Sequence, residues 1–409
     1  MLKIEKELQA LNLTKDTTFF ENVQHIEEIH ANMSSILTIL TSYKVHDFAA
    51  IYHSHLTHIP ASLKSMTSCS LHACGMTSIA GILKAVEKSI HKKLRSIYGE
   101  NSYFECIHML EVASDTISSD DATVNDWIEA DLLIAQFNPV LKRTNLPVLE
   151  YKTEDIAYML RQCFQEGRTK PLTLALDCTI DYIDSPRVET LLEAFSDEIL
   201  AGKLNIVSFR SGLKFDLFGM DNYCGAPLFM IHNQDPKWAA FDMLLTDPAL
   251  LTDPLSTNWF CLAYQNSIPY LEQYRKHVFE NTRTFLSKLP TRLFNTNSLY
   301  RIVPVREGAD PAFVDIKIAG PMHELRGAAL VAGCLYYKCM EKGHPIFYRP
   351  SLGFYHTNFT MIFNEQNTTI RLTLGLDPTD IAPLVECFEM IDTLNGTTRK
   401  ALEDKIHVK

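Results

Sequence analysis

PLTLALDCT at residues 171–179 is followed, one helix-length later, by LNIVSFRSGLK at 204–214. Both open as short, nearly continuous apolar runs. They lack the polar alternation of a half-exposed strand, which is the pattern of strands covered on both faces. Between them, VETLLEAFSDEIL (188–200) repeats its apolar residues at helical spacing. Strand, helix and strand in this order predict a crossover unit and a mostly parallel sheet with helices on both sides. ADLLIAQF (130–137) adds a further strand, and DIAYMLRQCFQEG (155–167) a further helix, ended by Gly167. Ligands of such sheets bind beyond the carboxyl ends of the strands. Asp177 and the Ser208–Lys214 segment fall at those ends.

Toward the N-terminus, SCSLHACGMTSIAGILKAVEKSIHKKL (68–94) is a small-residue turn opening a long amphipathic helix, with Thr77 and Ser78 suited to capping. Toward the C-terminus, SIPYLEQYRKHVFENTRTFLSKL (267–289) predicts a long helix leaving the sheet lobe. FVDIKIAG (313–320) and IRLTLGL (370–376) read as strands; HELRGAALVAGCLYYKCMEKG (323–343) and PTDIAPLVECFEMIDTL (378–394) read as helices. The expected organisation is a helical segment over 1–65, a three-layer α/β/α large domain over 66–265 and a smaller α+β domain over 266–409.

The 409 residues carry 38 Lys plus Arg against 49 Asp plus Glu, a formal charge of −11, which argues against a nucleic-acid surface. Apolar residues at 46% supply enough buried surface to exclude disorder as the main state. The ten cysteines include no CxxC pair, so neither a zinc ribbon nor a thioredoxin-type site is supported. No membrane span is expected, because no apolar run reaches the length one requires. A cytoplasmic protein acting on a small molecule is the expectation.

Four features carry chemistry. Lys214 stands just past a buried strand among Ser208, Ser211 and Gly212, where a desolvated amine becomes a nucleophile. Asp177 ends an apolar strand and needs a cationic or hydrogen-bonding partner, such as a protonated heterocycle nitrogen. Gly75, Met76 and Thr77 open a helix, whose free N–H groups suit a phosphate. Arg371, embedded in an alternating strand, should face a carboxylate. Singly, each has an ordinary reading: a surface lysine, a loop aspartate, a plain helix cap, an exposed strand position. Together they are the parts needed to hold pyridoxal 5'-phosphate and an amino acid.

In the order of these motifs the chain resembles the fold-type I pyridoxal-phosphate enzymes, and most closely the Cys/Met-metabolism family of cystathionine and methionine γ-lyases and synthases. Gly75-Met76 looks like that family's phosphate-binding pair. Tyr98-Gly99 is similar to its Tyr-Gly, whose tyrosine stacks on the cofactor and assists catalysis. Asn138-Pro139 resembles its Asn-Pro. Asp177-Cys178-Thr179 looks like its Asp-x-Thr, with Asp on the pyridine nitrogen, and Ser211-Gly212-Leu213-Lys214 like its Ser-x-x-Lys, with Asp221 and Gly225 following. Ser351-Leu352-Gly353 and Arg371-Leu372-Thr373-Leu374-Gly375-Leu376 resemble its substrate-carboxylate motifs. The resemblance implies Lys214 and Tyr98 as catalytic residues. It implies Gly75, Met76, Tyr98, Asn138, Asp177, Thr179, Ser211 and Lys214 around the cofactor, and Ser351 and Arg371 on the substrate. It further implies elimination or replacement on a sulfur-containing amino acid, in a homodimer or homotetramer. Transamination on the same fold, or a non-catalytic binding protein derived from it, are the alternatives.

Overall fold

The computed structural model describes residues 46–99, 102–137, 152–165, 168–181, 186–216, 225–295, 300–303, 311–318, 325–344, 346–349, 354, 356–363, 368–375 and 381–393, with residues 28, 31–33, 35 and 36 near the N-terminus. Asn138, Asp221 and Ser351 lie outside them, as does most of the predicted N-terminal helical segment.

Chain order in the large lobe runs α1 (Phe48–His55), β1 (Thr67–His72), α2 (Gly75–Ile90), β2 (Arg95–Tyr98), α3 (Phe104–Ala113), β3 (Asp115–Ser118), α4 (Val124–Glu129), β4 (Leu132–Gln136), α5 (Thr153–Cys163) and β5 (Leu172–Asp177). It continues through α6 (Pro186–Ala194), α7 (Ser196–Leu200), β6 (Leu204–Phe209), β7 (Ala226–Ile231) and α8 (Met243–Thr246). The strands form one seven-stranded sheet in the order β1-β7-β6-β5-β4-β2-β3. The run β6-β5-β4-β2-β3 is parallel, and β7 and β1 close one side antiparallel. Every residue of β4, β5, β6 and β7 is buried, as the continuous apolar runs require. Separate apolar clusters cover the two faces, one around Leu174, Ile206 and Phe229, the other around Ala175, Val207 and Met230. The helix expected over 188–200 is divided: Phe195, at φ −125°, leaves the helical region and buries its side chain.

One long helix, α9 (Pro254–Lys288), links the lobes. It starts thirteen residues before the sequence expectation and continues through Pro269, because Phe260, Cys261 and Tyr264 belong to the same buried face. A proline inside a helix costs about 3 kcal/mol, and burial on either side offsets it. Asp253 caps the helix, its Oδ1 accepting from the N–H groups of Leu255 (2.9 Å) and Ser256 (3.0 Å), with Pro254 at the first helical position. The early part of α9 packs in the large-lobe core and its end, at Phe285, in the small-lobe core.

The small lobe holds β8 (Tyr300–Ile302), β9 (Val314–Ile318), α10 (Leu325–Glu341), β10 (Phe347–Tyr348), β11 (Asn358–Phe363), β12 (Thr368–Thr373) and α11 (Ala382–Thr393), with sheet order β10-β11-β12-β9-β8. Among the described residues no helix is long and apolar enough to cross a membrane. A small aromatic cluster joins the lobes: Phe215 stacks on Phe354 (centroids 4.5 Å apart, 8° between planes) and meets Tyr274 and Phe279 of α9 edge-on.

Asp253→Ala removes the acceptor at the start of α9. It should cost about 1 kcal/mol in urea unfolding, the usual worth of an N-cap, with far-UV circular dichroism showing an otherwise folded chain.

Candidate active site

A cavity of about 640 Å³ opens between the carboxyl ends of the large-lobe strands and the small-lobe sheet. Gly75, Met76, Asp177, Thr179, Ser211 and Lys214 reach it from the large lobe, and Arg371 from the small lobe. These positions are scattered over three hundred residues of sequence, and the sheet topology brings them to one place.

The large-lobe side is built by local hydrogen bonds. Asp177 is the last residue of β5, and its Oδ1 accepts from the Thr179 N–H at 2.8 Å. The Thr179 hydroxyl in turn accepts from the Ser211 N–H at 3.1 Å, which fixes the start of the Lys214 loop against the end of β5. A Cβ placed on Gly75 would lie 3.9 Å from Ser211, so the N-terminus of α2 and Ser211 face each other closely. The Cys74 N–H donates to the Thr77 hydroxyl at 2.8 Å, whereas the first-turn N–H groups of a helix have no intrahelical acceptor.

The turn carrying Lys214 is held from both sides. Arg210 and Asp216 form an ion pair, the two side chains being 3% and 1% exposed. Arg210 Nη1 also donates to the Asp181 carbonyl at 3.3 Å, and the Asp181 carboxylate takes Arg275 of α9 at 2.9 Å. The Gly212 N–H donates to the Gly225 carbonyl at 2.8 Å. A Cβ at Gly212 would come within 2.8 Å of that oxygen and 2.6 Å of Phe260, so no other residue fits without movement. Phe215 anchors the far side of the turn in the interlobe cluster.

Tyr98 ends β2 and packs against the core cluster that also takes Met76; it is not among the described residues lining the cavity. Tyr103 is. The chain turns after Tyr98, with the Ser102 N–H bonded to the Gly99 carbonyl at 2.8 Å, and this turn delivers Tyr103 to the start of α3. Burial, reinforced by the Glu105 carboxylate to which the phenol donates, pushes Tyr103 well up and keeps it protonated at neutral pH. The sequence signal for Tyr103 was its place just before a helix start, one residue from Phe104, which also lines the cavity.

Arg371, on β12, has its carboxylate within the chain. Its Nε and Nη2 donate to the two oxygens of Asp315 at 2.8 and 2.9 Å. The residues are register partners on β12 and β9, and both are buried. The Phe313 ring lies against the guanidinium, 4.4 Å from centroid to Cζ. Nη1 takes part in neither of the Asp315 contacts.

These residues fit the cofactor that the motif order implies. Asp177 is a buried carboxylate whose hydrogen bonds from described residues come from Thr179, and burial raises it above the usual carboxylate range. Such a group has an open requirement for a cation, which a protonated ring nitrogen meets. The α2 N-terminus beside Ser211 suits an anion.

No protein-family model matches the sequence, and no curated protein sequence does. Among solved structures, a methionine γ-lyase from Micromonospora echinospora is 15% identical, with TM-score 0.51 over 82% of this chain and 81% of the other. A cystathionine γ-synthase from Xanthomonas oryzae pv. oryzae, solved with aminoacrylate and cysteine, is 12% identical, with TM-score 0.51 over 81% of this chain and 82% of the other. The chain shares their fold.

A carboxyl raised by burial contributes stability below its unfolded value, about 3.9, and loses it as pH rises through the folded value. Urea melts of the cofactor-free chain should therefore show Asp177→Asn more stable than the parent near neutral pH, with the difference vanishing below about pH 4. Equal stability of the two proteins across this range would show that the carboxylate is not desolvated.

Proposed function

We propose that this protein is a pyridoxal 5'-phosphate-dependent enzyme acting on an amino acid by β- or γ-elimination or replacement, with a sulfur-containing side chain as the leaving or accepting part. The observation that supports it is the single cavity shared by Gly75, Asp177, Ser211, Lys214 and Arg371. Bound there, the cofactor supplies an electron sink for a carbanion at the substrate α-carbon.

The protein's own residues do the rest. The N-terminus of α2 and Ser211 bind the phosphate through N–H and O–H donors. Asp177 holds the proton on the ring nitrogen, because its buried carboxylate is satisfied only by a cation. Arg371 receives the substrate carboxylate on Nη1 while Asp315 holds the opposite edge, so the guanidinium does not rotate. Lys214 would supply the amine that holds the cofactor and, once the substrate amine has replaced it there, the base that takes and returns the α-proton. Tyr103 stands on the cavity wall with its phenol proton directed to Glu105. Phe104, Phe313 and Ile180 exclude water from the reacting atoms.

Purified protein mixed with pyridoxal phosphate should develop an absorbance band above about 400 nm, the mark of a cofactor joined to a lysine, and Lys214→Ala should not. Absence of the band from the parent protein would refute the enzyme reading. In the loaded protein, ammonia and a 2-oxo acid released without an added acceptor mark elimination, and dependence on an added 2-oxo acid marks transamination.

A further inference from the structure

Among the described residues, the small-lobe side chains at the cavity beside Arg371 and Thr360 are apolar. Phe313 leads into β9, Tyr348 lies on β10, and Met361 and Ile362 lie on β11 beside β12, which carries Arg371. Ile362 shares with Thr360, the register partner of Arg371, the sheet face that carries Arg371 and is partly exposed there, whereas Met361 and Tyr348 lie on the other face, toward Phe359 and the small-lobe core.

The charge on the wall is cancelled from within. Arg371 and Lys214 are the cationic side chains among the described lining residues. Asp315 takes Nε and Nη2 of Arg371 in a two-pronged ion pair, and Phe313 covers the guanidinium face. Asp177 and Glu105, which also line the cavity, add negative charge. With Lys214 and Arg371 positive and Asp177, Glu105 and Asp315 negative, the formal sum over these described residues is −1. A ligand bringing one carboxylate finds the remaining edge of Arg371. A second carboxylate would surrender its hydration without meeting surplus positive charge. An apolar side chain laid on Phe313 and Ile362 gains by leaving water.

We propose that this site takes an amino acid with a single carboxylate and an apolar side chain (aliphatic, aromatic or thioether), and that Asp315 is the specificity-determining residue. The proposal rests on the amino-acid reading above and narrows it. A thioether such as that of methionine fits, and a substrate with a second ammonium and carboxylate does not.

The test is calorimetric binding of free L-amino acids to the full chain, with pyridoxal phosphate present and absent. Norleucine, phenylalanine and methionine should bind at least about tenfold more tightly than aspartate and glutamate, the discrimination expected of an apolar pocket. Asp315→Asn keeps the side-chain shape and removes its charge. It should tighten aspartate and glutamate relative to norleucine by about tenfold, as expected for charge complementarity. Ile362→Lys adds a cation on the face that carries Arg371 and should act in the same direction, which keeps the test open if Asp315→Asn does not fold. Ile362→Ala should weaken norleucine alone. The proposal is overturned if the diacids bind as tightly as the apolar set, if neither charge variant moves the ratio, or if no amino acid binds. Failure of the cofactor reading is seen separately, as a missing absorbance band beside an intact amino-acid preference.

Discussion

A carboxylate buried at the end of a central strand is the constraint on which this site depends. Asp177 sits between Gln136 of β4 and Phe209 of β6 in the sheet register. Water is largely excluded there, and the carboxylate is answered by donors of Thr179. An unpaired charge in such surroundings is costly, so the site is built with an unmet requirement. The same Thr179 fixes Ser211, and Ser211 faces the start of α2. One strand end therefore sets three parts at once: the cation acceptor, the anion cradle and the beginning of the lysine turn.

The lysine turn needs a second kind of support, because a loop on hydrogen bonds alone would not hold an amine in register with a partner from another lobe. Arg210 and Asp216 bracket Lys214 with a buried ion pair, and Phe215 stacks on Phe354. Such a pair is weak evidence for net stability, since desolvation of both ions opposes their attraction. Its value here is geometric. Removing either partner strands the other charge in the core, so the turn has few alternative arrangements. The Asp181–Arg275 contact carries the same network to α9, the helix that joins the lobes.

Much of this was legible in the sequence for a physical reason. Continuous apolar runs mark doubly covered strands, and β5 and β6 fall within the predicted segments. Catalytic candidates at strand ends follow from that assignment, and Asp177, Ser211 and Lys214 meet where it places them. Aromatic placement was less legible. Tyr98 and Tyr103 are five residues apart, and their spacing in the sequence does not say which reaches the cavity. Arg371 was expected to face a carboxylate, but the partner depends on strand register. Asp315 lies 56 residues away, and nothing local specifies that β9 and β12 pair with those two residues opposite. The start of α9 was missed because Pro269 signals a helix beginning locally, whereas buried residues on both sides of it make one continuous face.

Global charge and local charge also part company. The chain carries −11 overall, yet the site is read as binding two anions, a phosphate and a carboxylate. Neither binding mode draws on a basic surface. The phosphate would meet oriented backbone N–H groups, whose partial charges act over a short range. The carboxylate would meet one edge of a guanidinium whose other edge is already neutralised. A site so arranged has little long-range attraction for anions and discriminates by contact. That favours ligands whose remaining surface is apolar, because they lose the least on entering a cavity whose described side chains carry no surplus positive charge.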